Sequence, residues 1–231
     1  MGLRQLMTLP SACHICHAWP SQALCAPCVE RFAQPTQRCP TCALTLTQNL
    51  CPNCVGHPSP LDACVTAVSY DFPWSTCITR FKFQADPGLA RALAELMRHA
   101  PWIEPAIEAA NMVIPMPLSS QRLRDRGFNQ AVELARHLAP QKTQAHALLR
   151  SRDSAHQVGA TREERLDLVR AAFWVAPEYA SDVRGQHVVL LDDVMTTGAS
   201  LYEAARALRS AGAAHITGMV FARTEAHASH H

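Results

Sequence analysis

Beyond residue 60, the chain alternates between short apolar runs and longer segments in which apolar residues recur every three or four positions. The short runs favour β-strands over residues 65–70, 112–114, 188–191 and 216–221. The periodic segments predict helices over residues 89–97, 128–138 and 200–211. Strands that alternate with helices predict an α/β fold with a mostly parallel sheet, and the run 188–191, which has no polar position, fits a strand covered on both faces.

The most informative segment follows the apolar run 188–191. Two adjacent carboxylates, Asp192 and Asp193, come directly after it. A short turn follows, which consists of Thr196, Thr197, Gly198, Ala199 and Ser200 and leads into a predicted helix. Backbone N–H groups at a helix start bind phosphate, whereas carboxylates suit sugar hydroxyls and a hydrated divalent cation. These features predict a ribose 5-phosphate site. The alternative, in which the two acids merely cap the helix, leaves the turn composition unexplained.

The first 54 residues have a different character, because they contain eight of the ten cysteines and few large apolar side chains. The cysteines form four Cys-x-x-Cys pairs, separated by 8, 10 and 8 residues. Two such pairs complete the tetrahedral shell of one zinc ion, so two structural zinc ions are predicted. The ligands would be Cys13, Cys16, Cys25, Cys28, Cys39, Cys42, Cys51 and Cys54. Sequential pairing of neighbouring pairs is the favoured arrangement, and a cross-braced arrangement stays open.

Other uses of these cysteines explain less of the pattern. Cys13 to His17 fits the Cys-x-x-Cys-His pattern of haem attachment, but three further pairs would then have no role. A thioredoxin-like redox motif needs one pair after a strand, and not four in series. The Gly/Pro stretch 55–60 predicts a boundary between a zinc-binding domain, residues 1–58, and a second domain, residues 59–231. Cys64 and Cys77 lie outside the repeat and are predicted to be core residues.

Composition and charge narrow the function classes. The chain is 48% hydrophobic and 17% charged, which argues against a mostly disordered protein. Eight thiolates on two zinc ions would lower the formal charge of +2 to about −2, so a globally basic nucleic-acid binder is not indicated. We find no secretory signal and no apolar run near the ~18 residues of a membrane span. We therefore expect a cytoplasmic protein that does not insert into membranes.

The segment 188–200 resembles the ribose-phosphate loop of type I phosphoribosyltransferases at both acids and across the Thr-Thr-Gly-Ala-Ser turn. Further motifs sharpen this to a resemblance to the ComF family of competence-associated proteins. They are Arg80-Phe81-Lys82-Phe83, Ile114-Pro115-Met116-Pro117-Leu118, Arg126-Gly127-Phe128-Asn129-Gln130, the loop residues Gln157, Arg162 and Arg165, and the four cysteine pairs, which are similar to the family's double zinc ribbon. Leu168 and Ala171 depart from the family's usual Asn and Gly.

The resemblance implies an α/β fold of the type I phosphoribosyltransferase kind with a small amino-terminal zinc ribbon. It implies that Asp192 and Asp193 accept hydrogen bonds from the ribose hydroxyls of phosphoribosyl pyrophosphate, and that Mg²⁺ accompanies this ligand. The 5-phosphate would bind to Thr196, Thr197, Gly198, Ala199 and Ser200. Residues 119–170 hold ten Lys and Arg against six Asp and Glu, and Arg124 and Arg126 are the predicted contacts of the pyrophosphate.

Three functions follow from these predictions. The first is an enzyme that transfers a phosphoribosyl group to an unknown acceptor, with a link to DNA uptake in natural transformation. The second is a non-catalytic module that senses phosphoribosyl pyrophosphate or binds single-stranded DNA and DNA-uptake proteins. The third is a salvage enzyme of ordinary metabolism. Purine-salvage members of the superfamily carry a carboxylate base where this chain has Thr196, so hypoxanthine and guanine are disfavoured as acceptors. Residues 151–165 are expected to form a loop that closes over the bound ligand.

Overall fold

The computed structural model describes residues 11–46, 51, 54–55, 58–83, 86–150 and 172–225. The chain divides into two compact units, Met1–Gln34 and Pro35–His231. In the smaller unit, helix α1 (Ala26–Phe32) begins directly after Cys25 and has proline in its first turn, where the missing N–H costs nothing. The described buried side chains of this unit are Cys13, Leu24 and Cys28, so its apolar core is very small.

The larger unit is built on a four-stranded sheet in which every strand pairing is parallel, as predicted. Its strands are β1 (Ala63–Ser69), β2 (Met112–Pro115), β5 (His187–Met195) and β6 (His215–Arg223), in the spatial order β1-β6-β5-β2. Residues 188–191 of β5 are all buried, which fits a strand covered on both faces. A separate antiparallel pair joins β3 (Leu148–Arg150) to β4 (Phe173–Val175).

Several helices of this unit bury apolar faces. Three of them correspond to the predicted periodic segments, namely α3 (Leu89–His99), α6 (Gln130–Leu138) and α8 (Ala199–Ser210). Within the described residues, four further helices lie in segments where no periodicity was assigned: α2 (Trp74–Phe83), α4 (Ile103–Ala109), α5 (Ser120–Arg126) and α7 (Ala180–Val183). Among the described residues, no helix is long and apolar enough to span a membrane.

Two boundaries differ from the sequence prediction in ways that matter for the site. Helix α6 begins at Gln130, and not at Phe128, because the Asn129 side chain accepts hydrogen bonds from the N–H groups of Ala131 and Val132. Strand β5 extends to Met195, so both acids lie within the strand. The extension follows from pairing with β6, whose register continues to the pair Met195 and Arg223.

The second set of cysteines belongs to the larger unit, whereas the predicted boundary after residue 58 separates it from the sheet. The Cys64 N–H of β1 donates to the carbonyl of Pro40 at 2.7 Å. Arg38 forms an ion pair with Glu225 at 3.0 Å, and the same carboxylate accepts from Thr45. These long-range hydrogen bonds join the cysteine segment to the sheet, and the Gly/Pro composition of residues 55–60 gives no sign of them. Cys64 and Cys77 are buried in the core, as predicted.

Candidate functional site

The two acids and the turn that follows them lie at the carboxyl end of β5. The turn, residues 196–200, leads into α8, and Gly198 precedes the helix with a φ of 86°. A Cβ at this position would lie 2.5 Å from Met195 Cε and 2.9 Å from the Tyr202 ring. Both the left-handed backbone and the close side chains therefore require glycine here, which leaves the backbone of the turn open to a ligand.

A cleft of about 370 Å³ opens at this end of the sheet. It is lined by Asp192, Asp193 and all five residues of the 196–200 turn, so the structure brings these predicted site residues together. Polar and charged lining side chains also come from distant parts of the chain: Tyr70, Lys82, Arg122, Arg126, Gln130 and Arg150. This combination of acids, cations and a turn at a helix start can bind a phosphorylated sugar.

Asp193 already has a cationic partner in the cleft. Lys82 Nζ, near the end of α2, lies 2.8 Å from Asp193 Oδ1, and both side chains are largely buried. A buried carboxylate needs such a partner, because removal from water penalises its charge. Lys82 belongs to the basic-aromatic motif at residues 80–83. The sequence alone did not indicate its pairing with Asp193, because the two residues are more than a hundred positions apart.

Asp192 lies beside this pair and is held differently. Its Oδ1 accepts a hydrogen bond of 2.8 Å from the Asp193 N–H. Burial, reinforced by the neighbouring charge of Asp193, raises the pKa of Asp192 to about 7. A carboxylate with such a raised pKa would become fully charged when hydroxyl donors or a cation enter the cleft.

The raised pKa predicts a pH-dependent effect of Asp192→Asn on stability. Between the ordinary value of 3.8 and about 7, the folded protein holds a proton on Asp192 that the unfolded chain has released. The free energy of unfolding therefore falls as the pH rises through this window. Relative to the parent, we expect Asp192→Asn to be more stable by roughly 2–4 kcal/mol at pH 8 and by less than about 1 kcal/mol at pH 4.

Urea unfolding of both proteins at the two pH values measures this difference. Asp182→Asn, which alters an exposed carboxylate on α7, is the control and should show no such trend. An equal stability change for Asp192→Asn at pH 4 and pH 8 would contradict a raised pKa.

The cations of the cleft include one of the two predicted arginines. Arg126 lines the cleft, donates to Gln130 Oε1 at 3.0 Å and stacks 5.3 Å from the centre of the Phe83 ring. Arg124 is not among the lining residues. Its guanidinium is exposed and donates to Gln121 Oε1 at 2.9 Å on the same helix.

Helix α5 explains this outcome. Residues four positions apart share one face of a helix, so Arg122 and Arg126 reach the cleft together. Arg124, halfway between them, lies on another face. The alternation of arginines along the sequence gives no preference among the three, and only the helical conformation of this segment separates them.

Gln130 is a site residue that the sequence analysis did not single out as a ligand contact. It is 1% exposed and lines the cleft, yet its Nε2 has no hydrogen-bond partner among the residues that the structure describes. An unpaired buried amide costs about 1–3 kcal/mol, so this donor is suited to an acceptor atom of a ligand. Its position at the first turn of α6, within the Arg-Gly-Phe-Asn-Gln motif, was the available signal. The predicted loop 151–165, with its motif residues Gln157, Arg162 and Arg165, lies outside the described residues.

The eight predicted cysteine ligands form two quartets. The first comprises Cys13, Cys16, Cys25 and Cys28, and the second comprises Cys39, Cys42, Cys51 and Cys54. Within each quartet the sulfur atoms lie within 4.8 Å of one another, which is the grouping that sequential pairing requires.

The sulfur separations fit a tetrahedral zinc site. The Sγ atoms of Cys16 and Cys25 are 3.6 Å apart, those of Cys42 and Cys51 are 3.5 Å apart, and those of Cys39 and Cys54 are 3.8 Å apart. Zn–S bonds of about 2.3 Å in a tetrahedron place sulfur atoms about 3.8 Å apart. Both quartets can therefore hold zinc, and the first one gives the smaller unit the character of a zinc ribbon.

Solved structures offer a distant likeness to this chain. One is a structure of the allosteric regulatory enzyme of purine biosynthesis, with 21% identity and a TM-score of 0.36 over 59% of this chain. Another is glutamine phosphoribosylpyrophosphate amidotransferase from Bacillus subtilis complexed with ADP and GMP, with the same identity and score. The chain spans about a quarter of the length of these two proteins, with 25% and 26% coverage.

Comparison with known protein sequences is more informative. Residues 123–231 match the family model of the phosphoribosyl transferase domain. The chain is 29% identical to the DNA utilization protein YhgH of Escherichia coli K12, over 95% of this chain and 100% of that protein. It is 28% identical to competence protein ComFC of Bacillus subtilis, over 84% of this chain and 81% of that protein.

A third relative shares slightly more sequence identity with the chain than these two. Competence protein F of Haemophilus influenzae is 31% identical over 176 residues, which cover 72% of this chain and 75% of that protein. The parallel α/β sheet, the acids at the end of β5 and the two cysteine quartets agree with the motifs that carried the resemblance. The chain therefore belongs to the ComF family of competence-associated proteins, with a phosphoribosyltransferase-type domain.

Proposed function

We propose that this protein binds phosphoribosyl pyrophosphate with Mg²⁺ and transfers the phosphoribosyl group to an acceptor that is still to be identified. The observation that carries the proposal is the single cleft in which Asp192, Asp193 and the 196–200 turn face four cationic side chains. Phosphate, a diol and pyrophosphate are the three groups of this ligand, and each has a chemically matched partner there. The names of the competence-related relatives support a link to DNA uptake.

The sugar end of the ligand would bind at β5 and α8. The N–H groups and hydroxyls of the 196–200 turn would donate to the 5-phosphate. Asp192 and Asp193 would accept hydrogen bonds from the two ribose hydroxyls, which are donors. Because Lys82 pairs with Asp193 at 2.8 Å, it would either share this carboxylate with a hydroxyl or turn toward the pyrophosphate.

The pyrophosphate end would meet the cations of the cleft. Arg122 and Arg126 come from one face of α5, and Arg150 comes from the end of β3. Guanidinium groups donate two parallel hydrogen bonds and so suit phosphate oxygens. Asp192 and Asp193 offer the hard oxygen atoms that Mg²⁺ prefers, and the bound ion would neutralise charge on the pyrophosphate as it leaves.

In the transfer, the bond between ribose C1 and the pyrophosphate oxygen breaks, and its electron pair leaves with the pyrophosphate. The acceptor forms the new bond to C1 with its own electron pair and loses a proton to water or buffer. Positive charge grows on the ribose ring, while Arg122, Arg126 and Arg150 stabilise the negative leaving group. Purine-salvage enzymes carry a carboxylate that acts as the catalytic base at the position of Thr196. Because Thr196 cannot play this role, we favour acceptors other than hypoxanthine or guanine.

The proposal predicts binding and turnover that can be measured separately. Calorimetry should detect the binding of phosphoribosyl pyrophosphate in the presence of Mg²⁺. Ribose 5-phosphate should bind more weakly, because it lacks the pyrophosphate. Pyrophosphate release should then depend on an acceptor chosen from a panel of nucleobases, amines and nucleic acids. Binding without acceptor-dependent release would favour a sensor, and no binding of either sugar phosphate would contradict the proposed ligand.

A second candidate function is a non-catalytic adaptor that binds single-stranded DNA. Phe83 at the end of α2 is 69% exposed, and the Arg126 guanidinium stacks on its ring. Exposed aromatic rings stack with bases, and cations bind the phosphate backbone. Salt-dependent retention of an oligonucleotide that is lost in Phe83→Ala would favour the adaptor.

We further propose zinc as the metal of both quartets and the cytoplasm as the location.

A further inference from the structure

A buried arginine connects the second quartet to the 196–200 turn. Arg223 is the last residue of β6 and is 2% exposed. Its Nε donates to the carbonyl of Cys42 at 2.9 Å, and Nη1 donates to the carbonyl of Met195 at 2.9 Å. Nη1 also donates to the carbonyls of Thr196 and Thr224. One guanidinium thus holds a cysteine of the quartet and the start of the turn at the same time.

In the part of the chain that the structure describes, the charge of Arg223 has no carboxylate partner. Among the described residues, no Asp or Glu oxygen lies within 4.0 Å of its nitrogen atoms. Burial of an unpaired cation is costly, and four carbonyl oxygens offset only part of this cost. Four thiolates around one zinc ion leave a formal charge of −2 beside Cys42. A metal-bound quartet would therefore supply the opposite charge that favours this position of the guanidinium.

The carbonyls that Arg223 binds determine how the turn presents its N–H groups. In a trans peptide the C=O and N–H bonds point in opposite directions. Because Arg223 binds the carbonyls of Met195 and Thr196, the N–H groups of Thr196 and Thr197 point away from it. Both threonines line the cleft. The hydrogen bonds from Arg223 therefore fix the orientation of their N–H groups at the cleft.

A second contact joins the same two parts. Pro40, within the Cys39-Pro40-Thr41-Cys42 segment, accepts the Cys64 N–H at 2.7 Å, and Cys64 Sγ contacts Met195 Sδ at 3.7 Å. Met195 Cε in turn occupies the space where a Gly198 Cβ would lie. Displacement of the quartet would therefore reach the turn by packing as well as through the guanidinium.

We propose that Arg223 is a positioning residue that couples metal binding at the second quartet to the conformation of the 196–200 turn. Loss of the metal releases the guanidinium from Cys42 and loosens the turn. The consequence for ligand affinity rests on the proposed function, whereas the coupling itself does not. If a sugar phosphate binds to the ordered turn, it also strengthens metal binding by the same factor, because such coupling is reciprocal.

Amide hydrogen exchange of the peptide around the 196–200 turn tests the coupling without a ligand. Four full-length proteins are compared: the parent, Cys51→Ser, Arg223→Lys and the double variant. Arg223→Lys keeps the charge but cannot reach Cys42 and Met195 together, because lysine lacks the guanidinium fork. Arg209→Lys on α8 is the matched control, since its partners Asp62, Ala213 and Ala214 lie outside the cleft lining.

We expect Cys51→Ser, which should lose one metal ion, to accelerate exchange of the turn at least tenfold, and Arg223→Lys to do the same with its metal retained. In the double variant the two effects should combine to less than their product, because both variants remove the contact between Arg223 and Cys42. Exchange within twofold of the parent in either single variant, or multiplied effects in the double variant, would overturn the proposal. Chelation of the parent protein gives the same test if a variant fails to fold.

Ligand binding then separates this inference from the proposed function. Arg223→Lys should weaken phosphoribosyl pyrophosphate binding at least tenfold, and Arg209→Lys should change it less than twofold. If the parent binds no phosphoribosyl pyrophosphate, the proposed function is wrong, and the exchange measurements still decide the coupling. If the parent binds it and Arg223→Lys binds it equally well, the positioning role is excluded while the proposed function stands.

Discussion

Replacement of both acids by asparagine is expected to lower the affinity for phosphoribosyl pyrophosphate in Mg²⁺ by a factor of roughly 10² to 10⁴. Hydrogen bonds to a charged group contribute about 1.5–3 kcal/mol each, and every 1.4 kcal/mol corresponds to a tenfold change in affinity. Asp192→Asn plus Asp193→Asn removes the charge from both acceptors while keeping their size. Calorimetric titration with the ligand in Mg²⁺ measures the loss directly.

The single variants distinguish the roles of the two acids. Asp193→Asn also frees Lys82, which can then bind the pyrophosphate, so its loss should be smaller than that of Asp192→Asn. The exposed Asp182→Asn is the matched control and should bind like the parent. Unchanged affinity in the double variant would place the ligand elsewhere and would contradict the proposed site.

Removal of metal is expected to unfold the smaller unit while the sheet persists. Zinc bound to a cysteine quartet can contribute on the order of 10 kcal/mol to folding. Leu24 is the one large apolar side chain that is buried among the described residues 11–34, so little else stabilises this unit. Metal analysis should return two zinc ions per chain, and a strong chelator should remove both.

Trypsin cleavage measures the local effect. Arg31, in the last turn of α1, should become cleavable at least a hundredfold faster after chelation, because this helix begins directly after Cys25 and contains Cys28, two members of the first quartet. Arg206 is the internal control: it is exposed on α8, but that helix packs on the buried sheet core and should stay resistant. Absence of metal, or unchanged cleavage at Arg31, would contradict a structural zinc role.

Much of the architecture follows from local patterns. The apolar runs and helical periodicity placed β1, β2, β5 and β6, together with three of the helices, because burial on one or both faces leaves a periodic record in the residues. The cysteine spacing identified all eight members of the two quartets. The Asp-Asp and Thr-Thr-Gly-Ala-Ser segment identified part of the cleft lining, because its members are close together in the chain, at the end of β5 and the start of α8.

The neighbours of these groups are specified only by tertiary structure. Lys82 and Asp193, or Arg223 and Cys42, are more than a hundred residues apart, and single positions of this kind leave no periodic signal. That Arg126 lines the cleft and Arg124 does not depends on the helical conformation of α5. Local sequence thus specifies secondary structure and contiguous motifs, whereas the pairing of buried charges is decided when parallel strands bring their carboxyl ends to one edge of the sheet.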